Sequence, residues 1–294
     1  ARRAQTMRGM RFVPVRLNPV RLVPESGTLS LVERLRVTVT TATPKLMAAV
    51  RPTPEVFQRT VRRIVVNPED AAPRTAKTTL PHSMDPSLDP AVPTGACDYL
   101  IITNDTLTTA FQALADHRVN HNGYTTEIKT VASITSAYSG SDTQEKIRNC
   151  IIDYVDNNGT LYVVLGGDNS VVPDRDCYVS VGGYTENQMP TDLYYAGLDG
   201  NWDEDGDGIY GESGTDPEGD LAADVYVGRI PVRTSAQASD YINKVVDYET
   251  NPPTNILKKF MMTGHKLWDR YSGDDRPSDE MFDGHQQFMD HSPV

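Results

Sequence analysis

The chain has 294 residues, of which 38% are hydrophobic and 23% charged. That is an ordinary composition for a chain that buries a core, and long enough for one large or two medium domains. Its longest uncharged apolar runs, such as residues 161–167, reach about seven residues where a membrane helix needs roughly 20, so no span is expected. The first residue is Ala1, with no apolar signal-peptide core behind it, and both ends read as boundaries of a piece of a longer chain. Cys97, Cys150 and Cys177 are widely spaced and form no CxxC, which excludes a disulfide framework and a Cys-rich zinc site and leaves one unassigned disulfide open.

Charge is unevenly divided. Residues 1–63 carry 13 basic and 3 acidic side chains, whereas the remaining 231 carry 15 and 37. In the basic part the arginines alternate with apolar residues, as in Arg34-Leu35-Arg36-Val37. Alternation suits the solvent face of strands, so docking onto the chain's own acidic part is expected and nucleic-acid binding is not.

In chain order, residues 8–66 read as β: the segments RGMRFVPVRL, LSLVERLRVTVTT and FQRTVRRIVV alternate or are β-branched, with Pro14, Pro19 and Pro24 at edges or in loops. Residues 67–96 hold six prolines among Asp, Ser and Thr and read as a linker or extended strap, which places a domain boundary there. From Asp98 the pattern becomes α/β. DYLIIT (98–103) is a short apolar run, like a strand buried on both faces. Asp105 or Thr106 is expected to cap a helix with Leu107, Phe111 and Leu114 on one face, stopped at Gly123. YTTEIKTV is a second strand. Asp142 caps a helix with Ile147, Ile151, Tyr154 and Val155 inward, ended by Asn157-Asn158-Gly159. LYVVLGG, DVYVGRIPV (224–232) and KKFMMTG (258–264) are three more strands, with a helix over 235–250 between the last two. Strands alternating with helices predict a doubly wound, mostly parallel α/β sheet, whose ligands sit beyond the carboxyl ends of the strands. Weight therefore falls on Asn104-Asp105, residues 166–170 and residues 264–269.

The strongest chemical signal is DGNWDEDGDGIYGE (199–212). Oxygen-bearing side chains recur at Asp199, Asn201, Asp203, Asp205 and Asp207 with glycines between them, as a hard cation wanting six to eight oxygens requires. Asp203-x-Asp205-x-Asp207-Gly208 matches the first half of an EF-hand loop; the twelfth position is Gly214, so Glu212 at the tenth is the candidate closing ligand. Five acids within nine residues repel unless neutralised, so structural Ca2+ is expected here. Catalytic metal chemistry is not, since no His lies nearby.

Other candidates carry less. His265 in TGHK and Cys177 could pair as a Cys–His dyad, but nothing in the sequence brings them together. Gly166-Gly167-Asp168 lacks both nucleotide-loop patterns, so Asp168 is expected to cap the turn after its strand. Trp202 and Trp268 are expected to pack locally.

Several stretches, taken in order, resemble the gingipain family of cysteine peptidases: DYLIITNDTL (98–107), YVVLGGDNSVVP (162–173), TDLYYAGLDGNWDEDGDGIYGE (191–212), DVYVGRIPVRTSAQASDYINKVVDYE (224–249) and FMMTGHKLWD (260–269). The resemblance implies a caspase-like, gingipain-like α/β fold in residues 97–294, a β-rich pro-segment in 1–66 and a processing region in 67–96. It also implies secretion or cell-surface location, and hydrolysis of protein or peptide substrates through a Cys–His dyad, with the pro-segment docked on its own catalytic domain. In the family the catalytic His lies in a GHG-type turn on a later strand and the Cys on the strand after it. His265 stands one strand too early and is followed by Lys266, so it is a decoy, and no residue here is carried over as catalytic. The acids Asp274, Asp275, Asp279, Glu280 and Asp283 lie where relatives selective for basic residues place a specificity acid. Two further readings are a secretion-system sortase of the same family and a calcium-stabilised binding module without catalysis.

Overall fold

The computed structural model describes residues 5–13, 20–23, 28–31, 53–68, 95–181, 183–212, 218–219 and 221–254. They fall in two units divided after Asn243, and the helix Ser235–Thr250 crosses that division.

The centre is a four-stranded parallel sheet of β5 (Tyr99–Thr103), β6 (Thr126–Thr130), β7 (Tyr162–Gly166) and β10 (Tyr226–Ile230), in the order β10-β7-β5-β6. From β5 the chain moves to one side for β6, then returns past β5 to β7 and on to β10. That reversal is the doubly wound arrangement expected, in which right-handed crossovers put connecting helices on both faces. The two faces separate by residue parity. Leu100, Ile102, Val163 and Leu165 share a core with Ile134 of α3 (Val131–Ala137) and with Ile147, Cys150 and Ile151 of α4 (Thr143–Asp153). On the opposite face, the tip of the Phe111 ring of α2 (Thr108–His117) packs against Gly166. Asp142 accepts a hydrogen bond from the Glu145 amide at 2.8 Å and caps α4, and α6 (Ser235–Thr250) spans the expected range.

The structure corrects three local readings. Residues 57–66 do not form a strand: α1 runs Glu55–Ile64. Phe57 and Val61, four apart, are its buried residues, while Glu55 and the pair Arg62 and Arg63 suit the helix dipole at either end, so helical periodicity outweighs the β-branched content. Arg8 and Gly9, read within a strand, are the turn between β1 (Gln5–Met7) and β2 (Met10–Phe12). Helix α2 is preceded by a turn secured by Asn104 rather than by Asp105 or Thr106, since the Asn104 Oδ1 accepts from the Leu107 amide at 3.0 Å. A second antiparallel pair, β3 (Val20–Val23) with β4 (Thr28–Leu31), fits the β-rich expectation for the basic part. Between β7 and β10 the chain adds an antiparallel hairpin of β8 (Arg175–Val181) and β9 (Tyr184–Thr191), then the short α5 (Leu193–Ala196). The expected strand 258–264, the prolines at 14, 19 and 24, and most of the Pro-rich stretch lie outside the described residues.

A methyl group added at Gly166 would stand 2.6 Å from the Phe111 ring, in a site where Phe111 is fully buried. Gly166→Ala is expected to destabilise the protein by about 1–3 kcal/mol. Urea unfolding checks this, and an unchanged midpoint would contradict the close packing of α2 on β7.

Candidate metal loop and the carboxyl edge of the sheet

The loop after α5 folds around Trp202. This side chain is buried, donates from Nε1 to the Gly197 carbonyl at 3.2 Å, and its ring lies against Gly211 and Gly219. The Gly211 amide in turn donates to the Trp202 carbonyl at 2.7 Å, closing residues 202–211 into a ring. Inside that ring the chain turns sharply. Gly206 and Gly208 hold φ of +75° and +84°, which glycine adopts without a β-carbon penalty. The acidic side chains organise the turn themselves: Asp203 Oδ2 accepts from the Gly208 amide at 3.2 Å, Asp205 Oδ1 from Asp207 at 3.2 Å, and Asp207 Oδ1 from Ile209 at 2.8 Å. Asn201 Oδ1 accepts from the Asp203 amide at 3.2 Å.

Two carboxylate groups result. Asp203, Asp205 and Glu218 form one, and Asp205, Asp207 and Glu212 the other, with the ligand oxygens of each within 4.8 Å of one another. Oxygens 2.3–2.6 Å from a single calcium ion cannot be more than about 5 Å apart, so each group meets the geometric condition. Asp199 lies outside both groups, and its backbone carbonyl is near the Arg148 guanidinium. Glu218 was not found in the sequence. It is 92% buried by its 8% exposure, its Oε1 accepts from the Glu204 amide at 3.0 Å, and its Oε2 has no hydrogen-bond partner. A buried carboxylate oxygen without a donor is costly unless a cation completes it. No spacing rule reaches Glu218; the signal is Gly219 beside it, which lets the backbone lie against Trp202. Burial, and then Asp207, Asp205, Glu218 and Asp203, push the Glu212 pKa up, as crowding among carboxylates does.

Arginines hold this loop to the sheet. Arg148 of α4 donates to the carbonyls of Tyr194 at 3.1 Å and Gly197 at 2.9 Å. Arg175 pairs with the capping residue Asp142 through two guanidinium nitrogens, at 2.7 and 2.8 Å, and lies over the Tyr194 and Tyr210 rings, which meet edge to face, at 4.5 and 3.8 Å from their centroids. Arg229 of β10 binds both Asp192 oxygens at 2.7 and 2.8 Å and also donates to the carbonyls of Gly167 and Val172.

At the carboxyl edge, the switch point between β5 and β7 is closed by the Thr103 hydroxyl donating to the Gly166 carbonyl. Asp168 accepts from the Ser170 amide at 3.0 Å and caps the following turn as expected. Ser170 and Arg233 hold its pKa down to about 2. An ionised carboxylate at that position repels phosphate, against a nucleotide role. Cys177 is buried in β8, and burial pushes its thiol up to about 11 despite the opposing pull of Arg175. That shift leaves it almost wholly protonated at neutral pH, which argues against a nucleophilic role. His265 and the acids at 274–283 lie outside the described residues.

The fold and the carboxyl-edge loops define an α/β chain of the doubly wound class with an acidic, cation-suited insertion. The sequence profile of peptidase family C25 matches residues 92–292, and the chain belongs to that family of gingipain-type cysteine peptidases. Solved structures it resembles include dimeric latent PorU from Porphyromonas gingivalis, with 20% identity, 52% of this chain against 15% of that one and a TM-score of 0.39. A complex of Porphyromonas gingivalis RgpB pro- and mature domains gives 18%, 52% against 29%, and 0.36. The Arg-specific cysteine proteinase gingipain R gives 17%, 56% against 30%, and 0.37. The chain thus spans less than a third of the length of these structures. No curated protein matches the sequence.

Burial alone would raise the Asp142 pKa, but hydrogen bonds from Arg175 and the Glu145 amide outweigh it and the net shift is downward. A carboxyl lowered on folding stabilises fully above its ordinary value and loses that contribution as pH falls through the lowered one. The gap in thermal midpoint between wild type and Asp142→Asn, which keeps a capping side chain, is therefore expected to hold down to about pH 4 and close below it. A gap that did not narrow at all as the pH fell below about 4 would mean that the Arg175 pairing does not depend on the carboxylate charge.

Proposed function

We propose that this chain comprises the pro-segment (residues 1–66), a processing stretch (67–96) and the first part of the catalytic domain (97–294) of a secreted or cell-surface cysteine endopeptidase acting on proteins or peptides. The observation that carries the reading is the family match over 92–292, which falls on the doubly wound sheet. In such an enzyme a thiolate attacks the scissile carbonyl carbon. An acyl-enzyme forms as the amine leaves with a proton from the His, and water then releases the acid. The Cys–His pair comes from residues outside those described. Cys177 is no substitute for it.

The experiment is cleavage of a denatured protein by the full encoded protein, with and without thiol alkylation. Alkylation of the wild type is expected to abolish cleavage, and unalkylated Cys177→Ser to keep more than about half of it, because its buried thiol stays protonated. Activity that survives alkylation would sink the cysteine mechanism, and a folded but inactive Cys177→Ser would place the nucleophile in β8. A sortase shares this chemistry up to the acyl-enzyme; a new amide bond formed with an added amine, in place of the free acid, would favour it.

The second part of the proposal is structural calcium in the loop. Asp203, Asp205, Asp207 and Glu212 are the ligands the sequence and the geometry both support, with Asn201 and Asp199 offered by spacing alone and Glu218 added by its unpartnered oxygen. The ion's role is to neutralise the loop and order the connection between β9 and β10. Calcium at about a hundred times its Kd would add roughly 2.7 kcal/mol of stability. A chelator is expected to lower the melting temperature of wild type and of Asp199→Ala, and to leave Asp203→Ala/Asp205→Ala unmoved. The isosteric Glu218→Gln is expected to weaken the calcium response without unfolding the protein. No chelator effect on wild type would make the loop a plain acidic turn.

A further inference from the structure

Two arginines hold the loop that follows β7, one from inside and one from outside. Arg229 of β10 is the inner one. Its side chain is 16% exposed, and the Asp192 carboxylate fixes its guanidinium through Nε and Nη2, at 2.8 and 2.7 Å. The remaining nitrogen, Nη1, donates to the carbonyl of Gly167 at 2.8 Å and to that of Val172 at 2.7 Å. These residues begin and end the loop 167–172, so one nitrogen staples its two ends together. The backbone of the loop is tied as well. The Val171 and Val172 amides donate to the Asp168 carbonyl at 3.0 and 2.9 Å, and the Gly167 and Asp168 amides to the carbonyls of Ile230 and Val232 at 2.9 and 3.1 Å. A β-carbon at Gly167 would stand 2.3 Å from Val171 Cγ1, so the loop is folded tightly on itself. Val172 is fully buried, and the Tyr195 hydroxyl donates to the Pro173 carbonyl at 2.5 Å.

Arg233, just after β10, is the outer arginine. Its side chain is 73% exposed, and its Nε donates to Asp168 Oδ2. Among the described residues its two η nitrogens meet no acceptor. Its main-chain amide is tied to Gln237 Oε1 at 3.0 Å. The guanidinium is therefore anchored at one nitrogen and keeps the other two for a further acceptor. Asp168 is anchored too: its Oδ1 accepts from the Ser170 amide at 3.0 Å and the Ser170 hydroxyl at 2.6 Å. With Arg233 on Oδ2, three of the roughly four acceptor positions of a carboxylate are taken and one is left. Ser235, the first residue of α6, donates to the Thr106 carbonyl at 3.0 Å, which brings the loop after β5 to the same edge.

The place and the charge together select a ligand. The loop lies beyond the carboxyl ends of β5 and β7, at the switch point where a doubly wound sheet takes its ligands. The charges of Arg233 and Asp168 cancel, so the pair favours neither a cation nor an anion. A donor beside an acceptor is instead the complement of a main-chain peptide group, with its C=O and its N–H, and an extended peptide repeats such groups along its length. We propose that Arg233 and Asp168, on the stapled loop 167–172, form a subsite for the main chain of an extended peptide substrate, with Arg233 donating to a substrate carbonyl. Arg229 is the positioning residue behind it. The subsite is indifferent to the side chains of the substrate and gains from its length. The idea rests on the peptidase reading, and its test keeps the two apart.

The test reads binding separately from cleavage. The full encoded protein, with its thiols blocked, is titrated with a long, labelled, unstructured peptide and with a short truncation of it, by fluorescence anisotropy. Arg233→Ala is expected to weaken binding of the long peptide by about three- to tenfold, as loss of a partly exposed charge-assisted hydrogen bond does, and that of the short one by less than about twofold. In the unblocked protein the same loss is expected in KM, with kcat kept. Glu or Lys placed along the peptide is expected to leave the Arg233→Ala effect unchanged. Arg229→Lys keeps a cation for Asp192 but cannot also staple the loop. It is expected to weaken long-peptide binding in the same way and to speed amide hydrogen exchange at Val171 and Val172. Wild type that binds the long peptide no better than the short one would overturn the subsite, as would equal losses on both in Arg233→Ala, the mark of a merely structural role. An Arg233→Ala loss seen with acidic peptides only would overturn the main-chain assignment. The expected binding pattern without thiol-dependent cleavage would sink the peptidase reading and leave the subsite standing.

Discussion

Repulsion among neighbouring carboxylates is the constraint that weighs most on the long connection between β7 and β10. Asp203, Asp205 and Glu218 form one cluster and Asp205, Asp207 and Glu212 another, the oxygens of each within 4.8 Å, on a turn tied by the carboxylates' hydrogen bonds to backbone amides. The surroundings show how much of the domain is committed to that turn. Trp202 belongs both to the loop and to the core that runs from Leu100 through Ile151 to Tyr195. Arg148 and Arg175 reach from α4 and β8 to the carbonyls and rings on either side of it. An ion in the loop would therefore brace α4 and the β8–β9 hairpin through these contacts, and not just tidy a surface excursion.

The two edges of the sheet are built differently. At the amino edge, tyrosines in register, a buried carboxylate at Asp224 and the arginine of a remote hairpin meet in directional hydrogen bonds. At the carboxyl edge, Asn104 and Asp168 are half-buried and Arg233 is exposed, and Arg229 ties the loop after β7 to the residue before α5. Doubly wound sheets bind their ligands at the carboxyl ends, where crossovers diverge at the switch point.

What could be read in the sequence follows from where a residue's environment is set. Strands β5 and β7 announce themselves as apolar runs because both their faces are covered, and Asp142 is legible as a cap because capping is local. The β8–β9 hairpin escaped notice because β9, from Tyr184 to Thr191, is almost wholly exposed and contains Pro190, so no burial pattern marks it. Helix α1 was misread because Val56, Val61 and Ile64 suggest a strand, whereas only Phe57 and Val61 face inward. Glu218 and Arg8 depend on partners far away in sequence. In a run of alternating residues an arginine looks like a solvent-facing strand position, and nothing nearby distinguishes one that is buried against Thr160 and Asp224.

The most direct test of the cation-organised loop is luminescence of a bound lanthanide, excited through Trp202. Terbium takes calcium's oxygen ligands, and Trp202 adjoins Asp203 within the ring that residues 202–211 close. The account expects sensitised emission that saturates, is displaced by calcium, and is lost in Trp202→Phe despite Trp268. Emission that is absent, or that persists unchanged in Asp203→Ala/Asp205→Ala, would mean that no ion sits among these carboxylates and that the loop is held by its hydrogen bonds alone.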